Sequence, residues 1–402
     1  MVGDPSPEDW DRVWRHASWM HRISMESWIV LEEATLNKLR LNSPPGGWFP
    51  ALQDLCWCIT ESNLPCADLF FSPHLKRFWF DTERSWKTAN VPLAIFSIAA
   101  SAISTLPTSS LEQITVDSSP RTALWAHFKD SFSSIILRCG SSLTEYNSPV
   151  PLSDAALDHL IHLPHLRTWR IHGPPPTYSA SSLPLVFPPL RELTLGEGAT
   201  RGWLQLLRRL EDGASTTQGV TPLSKTKELL KVLNVNGDSD INIDPFFVST
   251  IQCFRNLVRL SMGDSCHQEY HNHQCNFKLN NNNITELAMA LTQLEFLLLG
   301  FPCSENTCLT TAACLLPISV HCSKLKMLMI HLNTTNIVDD FRNISEDPRF
   351  QQLRSLQRCP LRNLDISGTS LGLGKSDSKI VAKGMIDIFP SLEYCGWIEL
   401  SR

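Results

Sequence analysis

The chain has 402 residues, of which 43% are hydrophobic and 19% charged, with a formal net charge of −5 and a pI near 6.2. Those values exclude a wholly disordered chain and offer no basic stripe of the kind that nucleic-acid binding requires. Thirteen cysteines at irregular spacing follow a start, MVGDPSPEDWDR, that has neither a basic nor an apolar leader region. They read as reduced thiols of a cytoplasmic or nuclear protein. The longest apolar run, residues 91–103, falls short of the roughly 20 residues that span a bilayer, so no membrane partner is expected.

The first predicted element is an amphipathic helix. Ser6 suits its N-cap, Pro7 its first position and Asp9 a capping box, while Trp10, Val13, Trp14 and Ala17 share one apolar face. It is expected to cap the open end of the structure within residues 1–30. A six-residue phrase then recurs: apolar, two variable residues, apolar, one variable, apolar. It reads LNKLRL (36–41), LQDLCW (52–57), LKRFWF (75–80), LEQITV (111–116), LRTWRI (166–171) and LRELTL (190–195). It continues as LKVLNV (230–235), LVRLSM (257–262), LEFLLL (294–299), LKMLMI (325–330), LRNLDI (361–366) and LEYCGW (392–397), with a degenerate strand near 143–146. The spacing is that of leucine-rich repeats, with each copy a short strand. Between copies lie predicted helices at 91–104 and 128–137. Another is capped by Ser153, apolar at Ala156, Leu157, Leu160 and Ile161, and stopped by Pro164. Helix, turn and strand in that order make the strands parallel. Residues 174–189 and 211–227 read as loops, and the Asn-rich stretch from Asn276 as a loop entering a helix around 287–291. The expected fold is α/β: an irregular leucine-rich-repeat solenoid over 31–402 with parallel strands on the concave face and helices on the convex face, behind an N-terminal helical cap over 1–30.

Three constellations invite chemistry, and each has a plainer reading. Gly374, Lys375 and Ser376 end like a phosphate loop, but Thr369 stands where the motif needs its first glycine, so the stretch reads as the turn into the next helix. Cys266, His267, His271, His273 and Cys275 are zinc-type ligands without a knuckle's spacing. His159, His162 and His165, with His172, line a solvated helix and turn. No nucleophile elbow, zincin helix or dinucleotide fingerprint is present, so neither an enzyme nor a cofactor or metal is expected. The sequons at Asn283, Asn333 and Asn343 read as chance matches.

In each phrase the fifth position faces away from the core, because successive strand residues point to opposite sides. This places Trp79, Arg170, His172, Asn234, Asn236, Ser261, Met329, His331 and Asp365 on the concave face, with Asp264 at its loop edge. Trp, Arg, Met and His among small polar residues suit a protein client.

Four stretches carry a family resemblance: PEDWDRVWRHASWMHRI; FPALQDLCW with FFSPHLKRFWF; LSDAALDHLIHLPHLRTWRI with FPPLRELTL; and CPLRNLDISGTSLG with KIVAKGMIDIFPSLEYCGW. Together they resemble the leucine-rich-repeat region of fungal F-box-like proteins. That resemblance implies a substrate-binding receptor linked to SCF-type ubiquitin ligation, with the repeats holding the client and an F-box binding a Skp-type adaptor. The LP-rich F-box opening is not visible before Trp10, so the adaptor is expected only with an F-box upstream of Met1. Without one, the expectation becomes a repeat-only scaffold or regulatory binder.

Overall fold

The computed structural model describes residues 6–25, 33–44, 47–58, 69–81, 93–117, 126–171, 189–196, 228–235, 245–263, 279–300, 309–346, 359–368 and 375–399. The chain divides into two compact units, one built on Met1–His172 and the other on Leu190–Arg402. In the first unit, α1 (Pro7–Ala17) and β1 (Arg22–Met25) lead to α2 (Glu33–Leu41), β2 (Asp54–Cys58) and β3 (Arg77–Asp81). There follow α3 (Leu93–Ser104), β4 (Gln113–Asp117), α4 (Lys129–Arg138), β5 (Glu145–Asn147), α5 (Asp154–Ile161) and β6 (Thr168–Ile171). The second unit holds β7 (Glu192–Leu195), β8 (Val232–Val235), α6 (Pro245–Ile251), β9 (Arg259–Met262), α7 (Asn281–Ala290) and β10 (Phe296–Leu299). It ends with α8 (Leu315–His321), β11 (Met327–His331), α9 (Ile337–Glu346), β12 (Asn363–Gly368), α10 (Lys375–Ile388) and β13 (Tyr394–Glu399). Within each unit every strand pairs in parallel with the next strand in sequence. This is the expected leucine-rich-repeat-type α/β solenoid, an array in which each repeat contacts its neighbours.

One backbone stitch sets the register. The carbonyl at the phrase's second position accepts two N–H groups from the following repeat, using both lone pairs. Gln53 O accepts from Lys76 N (2.8 Å) and Arg77 N (2.9 Å), and Lys76 O from Glu112 N (2.7 Å) and Gln113 N (3.0 Å). In the second unit Val258 O accepts from Glu295 N (2.8 Å) and Phe296 N (3.1 Å), and Lys326 O from Arg362 N (3.0 Å) and Asn363 N (3.1 Å). With the register held, phrase positions one, four and six stack into columns. The first-position column, Leu52, Leu75, Leu111, Leu143 and Leu166, is fully buried, as is Leu257, Leu294, Leu325 and Leu361. These columns face the helices: Phe80 packs against Phe128 (5.7 Å between centroids) and Phe132 of α4 (6.0 Å), and Cys395 Sγ lies 3.5 Å from Met385 Sδ of α10. Each buried Leu or Phe removes enough apolar surface to contribute about 1.5–3 kcal/mol.

Glycines mark two close approaches in the second unit. Gly263, at φ +85°, donates to Val235 O as β9 ends, and a Cβ there would meet Gly300 Cα at 2.9 Å. Gly384 lets α10 settle on the Phe341 ring of α9, into which any Cβ would run.

The helical expectations at 91–104, 128–137 and 153–161 match α3, α4 and α5, and Ser153 caps α5 through Ala156 N (3.3 Å). The capping box of the first helix is also as expected: Ser6 Oγ accepts from Asp9 N (3.2 Å), while Ser6 N donates to Asp9 Oδ2 (3.0 Å). On its apolar face Ala17 is buried and Trp10 packs on Trp48, but Val13 is exposed.

Two expectations need correction. LNKLRL is not a strand but the body of α2, with Leu41 exposed. Its Leu, Asn, Lys and Arg side chains leave it free of β-branched residues, and Leu36 and Leu39 also satisfy an i, i+3 helical spacing. The strand of this repeat lies earlier, in MHRISM, where His21 O takes the two-donor role from Gln53 N (2.9 Å) and Asp54 N (3.0 Å). The sheet therefore begins inside residues 1–30. The Asn-rich stretch, for its part, starts a helix instead of delaying one. Asn280 Oδ1 accepts from Asn283 N and Asn283 Oδ1 accepts from Asn280 N, both at 3.1 Å, so the run supplies a reciprocal N-cap to α7.

Candidate functional site

Strand alternation exposes two phrase positions on the face away from the helices, the third as well as the fifth. In the first unit the third-position row is Arg22, Asp54, Arg77, Gln113, Glu145 and Thr168, and the fifth-position row is Ser24, Cys56, Trp79, Thr115, Asn147 and Arg170. Arg77 grips Asp54 with two bonds, Nε to Oδ1 and a terminal nitrogen to Oδ2, both 2.5 Å. The Asp54 hydrogen bond raises the guanidinium's pKa further above its usual range. Trp79 stands 45% exposed in the middle of the next row. Two and three strands further along that row, past Thr115, Asn147 Oδ1 and Arg170 Nε, on register-paired residues, are shut off from solvent without a hydrogen bond among the described residues. Each such atom costs about 1–3 kcal/mol.

The second unit's face has a different character. Phe296 and Leu298 on β10 lie beside Met327 and Met329 on β11, all half-buried. On one side the Arg259 guanidinium sits 4.3 Å from the Phe296 ring centroid. On the other, Asp365 follows Met329 in register, then Gly396.

The residues expected on this face fall into three groups. Trp79 and Arg170 lie in the first unit's fifth-position row, and Asn234, Ser261, Met329 and Asp365 in the second's. Asn234 Nδ2 donates to Thr194 Oγ1 (3.2 Å) in that row. His331 follows Met329 by two on β11 but is only 4% exposed, which corrects its reading as a contact residue. Desolvation lowers its pKa to about 4, so it is neutral at physiological pH. His172, Asn236 and Asp264 lie outside the described residues. Reading only the fifth position overlooked Arg259, Phe296, Met327 and Tyr394. The same two-residue period that picked out Met329 also points to the third position.

The other constellations yield no assembled site. Cys266 to Cys275 fall outside the described residues, and among those described no group of three His, Cys, Asp or Glu side chains is placed to hold a metal ion. His159 Nε2 is 3.0 Å from Cys139 O, which ties it to the fold. Burial pushes the Cys139, Cys322 and Cys359 thiols up to about 12, so they stay protonated and weakly nucleophilic. The eight described cysteines are all free of disulfides. No described helix is long and apolar enough to cross a membrane.

No family model matches the sequence. No curated protein matches it either. Among solved structures it is similar to a chain from the crystal structure of the Rad7 and Elc1 complex in yeast, at 14% identity over 91% of this chain and 81% of that one, with a TM-score of 0.44.

Proposed function

We propose that this chain is a non-catalytic protein-interaction module that holds a client protein on the helix-free face of its strands. One observation carries the reading: aromatic, methionine and arginine side chains stand in register on that face, with Trp79 45% exposed where a polar residue would cost nothing. Trp, Met and Arg are the residues enriched where proteins meet, and Trp and Arg dominate binding hot spots. The finer reading is a substrate-binding receptor in SCF-type ubiquitin ligation, working in the cytoplasm or nucleus. It draws its support from the resemblance to F-box-like repeat proteins, and a Skp-type adaptor is then its second partner.

A photo-crosslinking residue placed at Trp79 or Met329, and as controls at the exposed helix positions Leu137 and Ile386, tests the module in cells. Crosslinks to the same client from 79 or 329 but not from 137 or 386 support it; equal crosslinking from all four sinks it. The finer reading predicts that the client accumulates when this protein is deleted and that a Skp-type adaptor co-purifies with the full-length protein. A client bound but unchanged in abundance points to a repeat-only scaffold.

A further inference from the structure

The geometry points to the occupant of the second unit's open face: a segment of a partner protein with an acidic residue at one end, apolar residues in the middle and a basic residue at the other end. This deepens the partner-binding reading and rests on it. The first observation is which charges are already compensated. Charges flanking this face pair with each other across neighbouring repeats: Lys326 Nζ with Glu295 Oε2 at 2.6 Å and Arg362 Nε with Glu393 Oε1 at 3.7 Å. Arg259 and Asp365, on the open rows, form no ion pair among the described residues. Among the described residues Arg259 meets the Phe296 ring and no hydrogen-bond acceptor, which leaves its fork of N–H donors available to a carboxylate.

The second observation is what lies between these two charges. Strands β10 and β11 present Phe296, Leu298, Met327 and Met329 on this face, with His331 buried at its end, a block of apolar surface with the adaptable side chains that suit a binding patch. The third is the glycine beyond Asp365. A Cβ on Gly396 would run into Asp365 Oδ1 and would lie 2.8 Å from the Tyr394 hydroxyl. The missing side chain is thus the floor on which the carboxylate and the 57% exposed tyrosine converge. A carboxylate beside an aromatic ring is chemistry for an ammonium or guanidinium group. Arg259 and Asp365 are three strands and one two-residue step apart, about 16 Å on the diagonal. The segment therefore crosses the strands, its acid over Arg259 and its base over Asp365 and Tyr394.

The test pans a phage-displayed random 16-residue peptide library on the full chain. Recovered peptides should share the acid, apolar and base order and bind the R259E/D365K variant at least about tenfold more weakly. Copies with the two charged ends exchanged should prefer that variant. The R259Q/D365N variant, gentler on the fold, should lose the distinction between the two orders, and Met329→Glu should abolish binding of both. Peptides indifferent to the charge exchange, or a selection yielding none that Met329→Glu removes, overturn the inference. The interaction reading survives that result if crosslinks still form from 79 or 329, and falls separately if they do not.

Discussion

The two units obey one grammar and fill it with different side chains. In the first, phrase positions four and six carry Trp57, Phe78, Phe80, Tyr146 and Trp169, and Phe128 and Phe132 meet them from the helical side. In the second, the same positions carry Leu193, Leu233, Leu260, Leu297, Leu328 and Leu364, with Val235, Met262, Ile330 and Ile366. The open faces differ the other way. The first unit's is polar around one tryptophan, and the second's is apolar between two opposite charges. The stitch at phrase position two is common to both, so register depends on the backbone while the columns are free to vary. A repeat array thus tolerates bulky rings inside one stretch and aliphatic chains inside another, provided neighbouring repeats agree.

The largest expected effect tests the aromatic core. Phe80 touches Phe78, Trp57, Phe128 and Phe132, so Phe80→Ala should cost about 3–5 kcal/mol. Leu328→Ala, in the aliphatic column, belongs nearer the lower end of the usual 2–5 kcal/mol range. Peptide-resolved hydrogen exchange should show Phe80→Ala loosening β2 to β4 and Leu328→Ala loosening β10 to β12. If either change loosens both units alike, the comparison fails. Next comes Gly384→Ala. Its methyl would enter the buried Phe341 ring, and overpacking of this kind costs about 1–3 kcal/mol. Urea unfolding measures it. Pairing it with Phe341→Leu should recover part of the loss, and a purely additive pair would show that the two side chains do not meet.

Much of this was legible in the sequence because period and phrase speak together. Eleven of the twelve phrases are strands, and the helix caps at Ser6 and Ser153 are also where their residues announce them. What was missed has physical reasons. MHRISM obeys the grammar with Met and Ile in place of leucine, which hides its strand from a leucine pattern, whereas LNKLRL has the leucines but also a helix's spacing. A run of asparagines looks like a loop until two of them cap each other. On the candidate face, fifth-position residues followed from alternation alone. That Arg259 and Asp365 lack ion-pair partners among the described residues, or that Gly396 forms a floor, depends on which strands are neighbours, and no single phrase contains that.

The third prediction separates the units by pH. His331, buried in the second unit, has its pKa lowered to about 4 by desolvation, against about 6.5 in an unfolded chain. The unfolded state therefore binds the extra proton first, and stability present above pH 6.5 is lost as pH falls toward 4. By pH 5 the loss should reach about 1–2 kcal/mol. No histidine described in the first unit is buried, so acid should raise hydrogen exchange in β10 to β12 ahead of β2 to β4. Asp340 of α9 has its pKa raised by burial and pulls in the opposite direction. The informative quantity is thus the difference between the native chain and His331→Asn, and equal pH dependence in the two proteins would acquit His331.

The smallest effect concerns how helices start in the two units. Ser153 caps α5 with one bond, its hydroxyl accepting from Ala156 N. Asn280 caps α7 with one bond of the same kind and makes a second, its own N–H donating to Asn283 Oδ1. Ser153→Ala and Asn280→Ala should each cost about 0.5–2 kcal/mol. Asn283→Ala should also be costly, because it leaves the Asn280 N–H without its acceptor. A double-mutant cycle between Asn280 and Asn283 should show coupling, whereas Ser153→Ala and Ala156→Gly should be additive, since Ala156 has no side-chain acceptor with which to return the bond. Additivity in both places would mean that the asparagine run starts its helix by propensity and not by its reciprocal bonds.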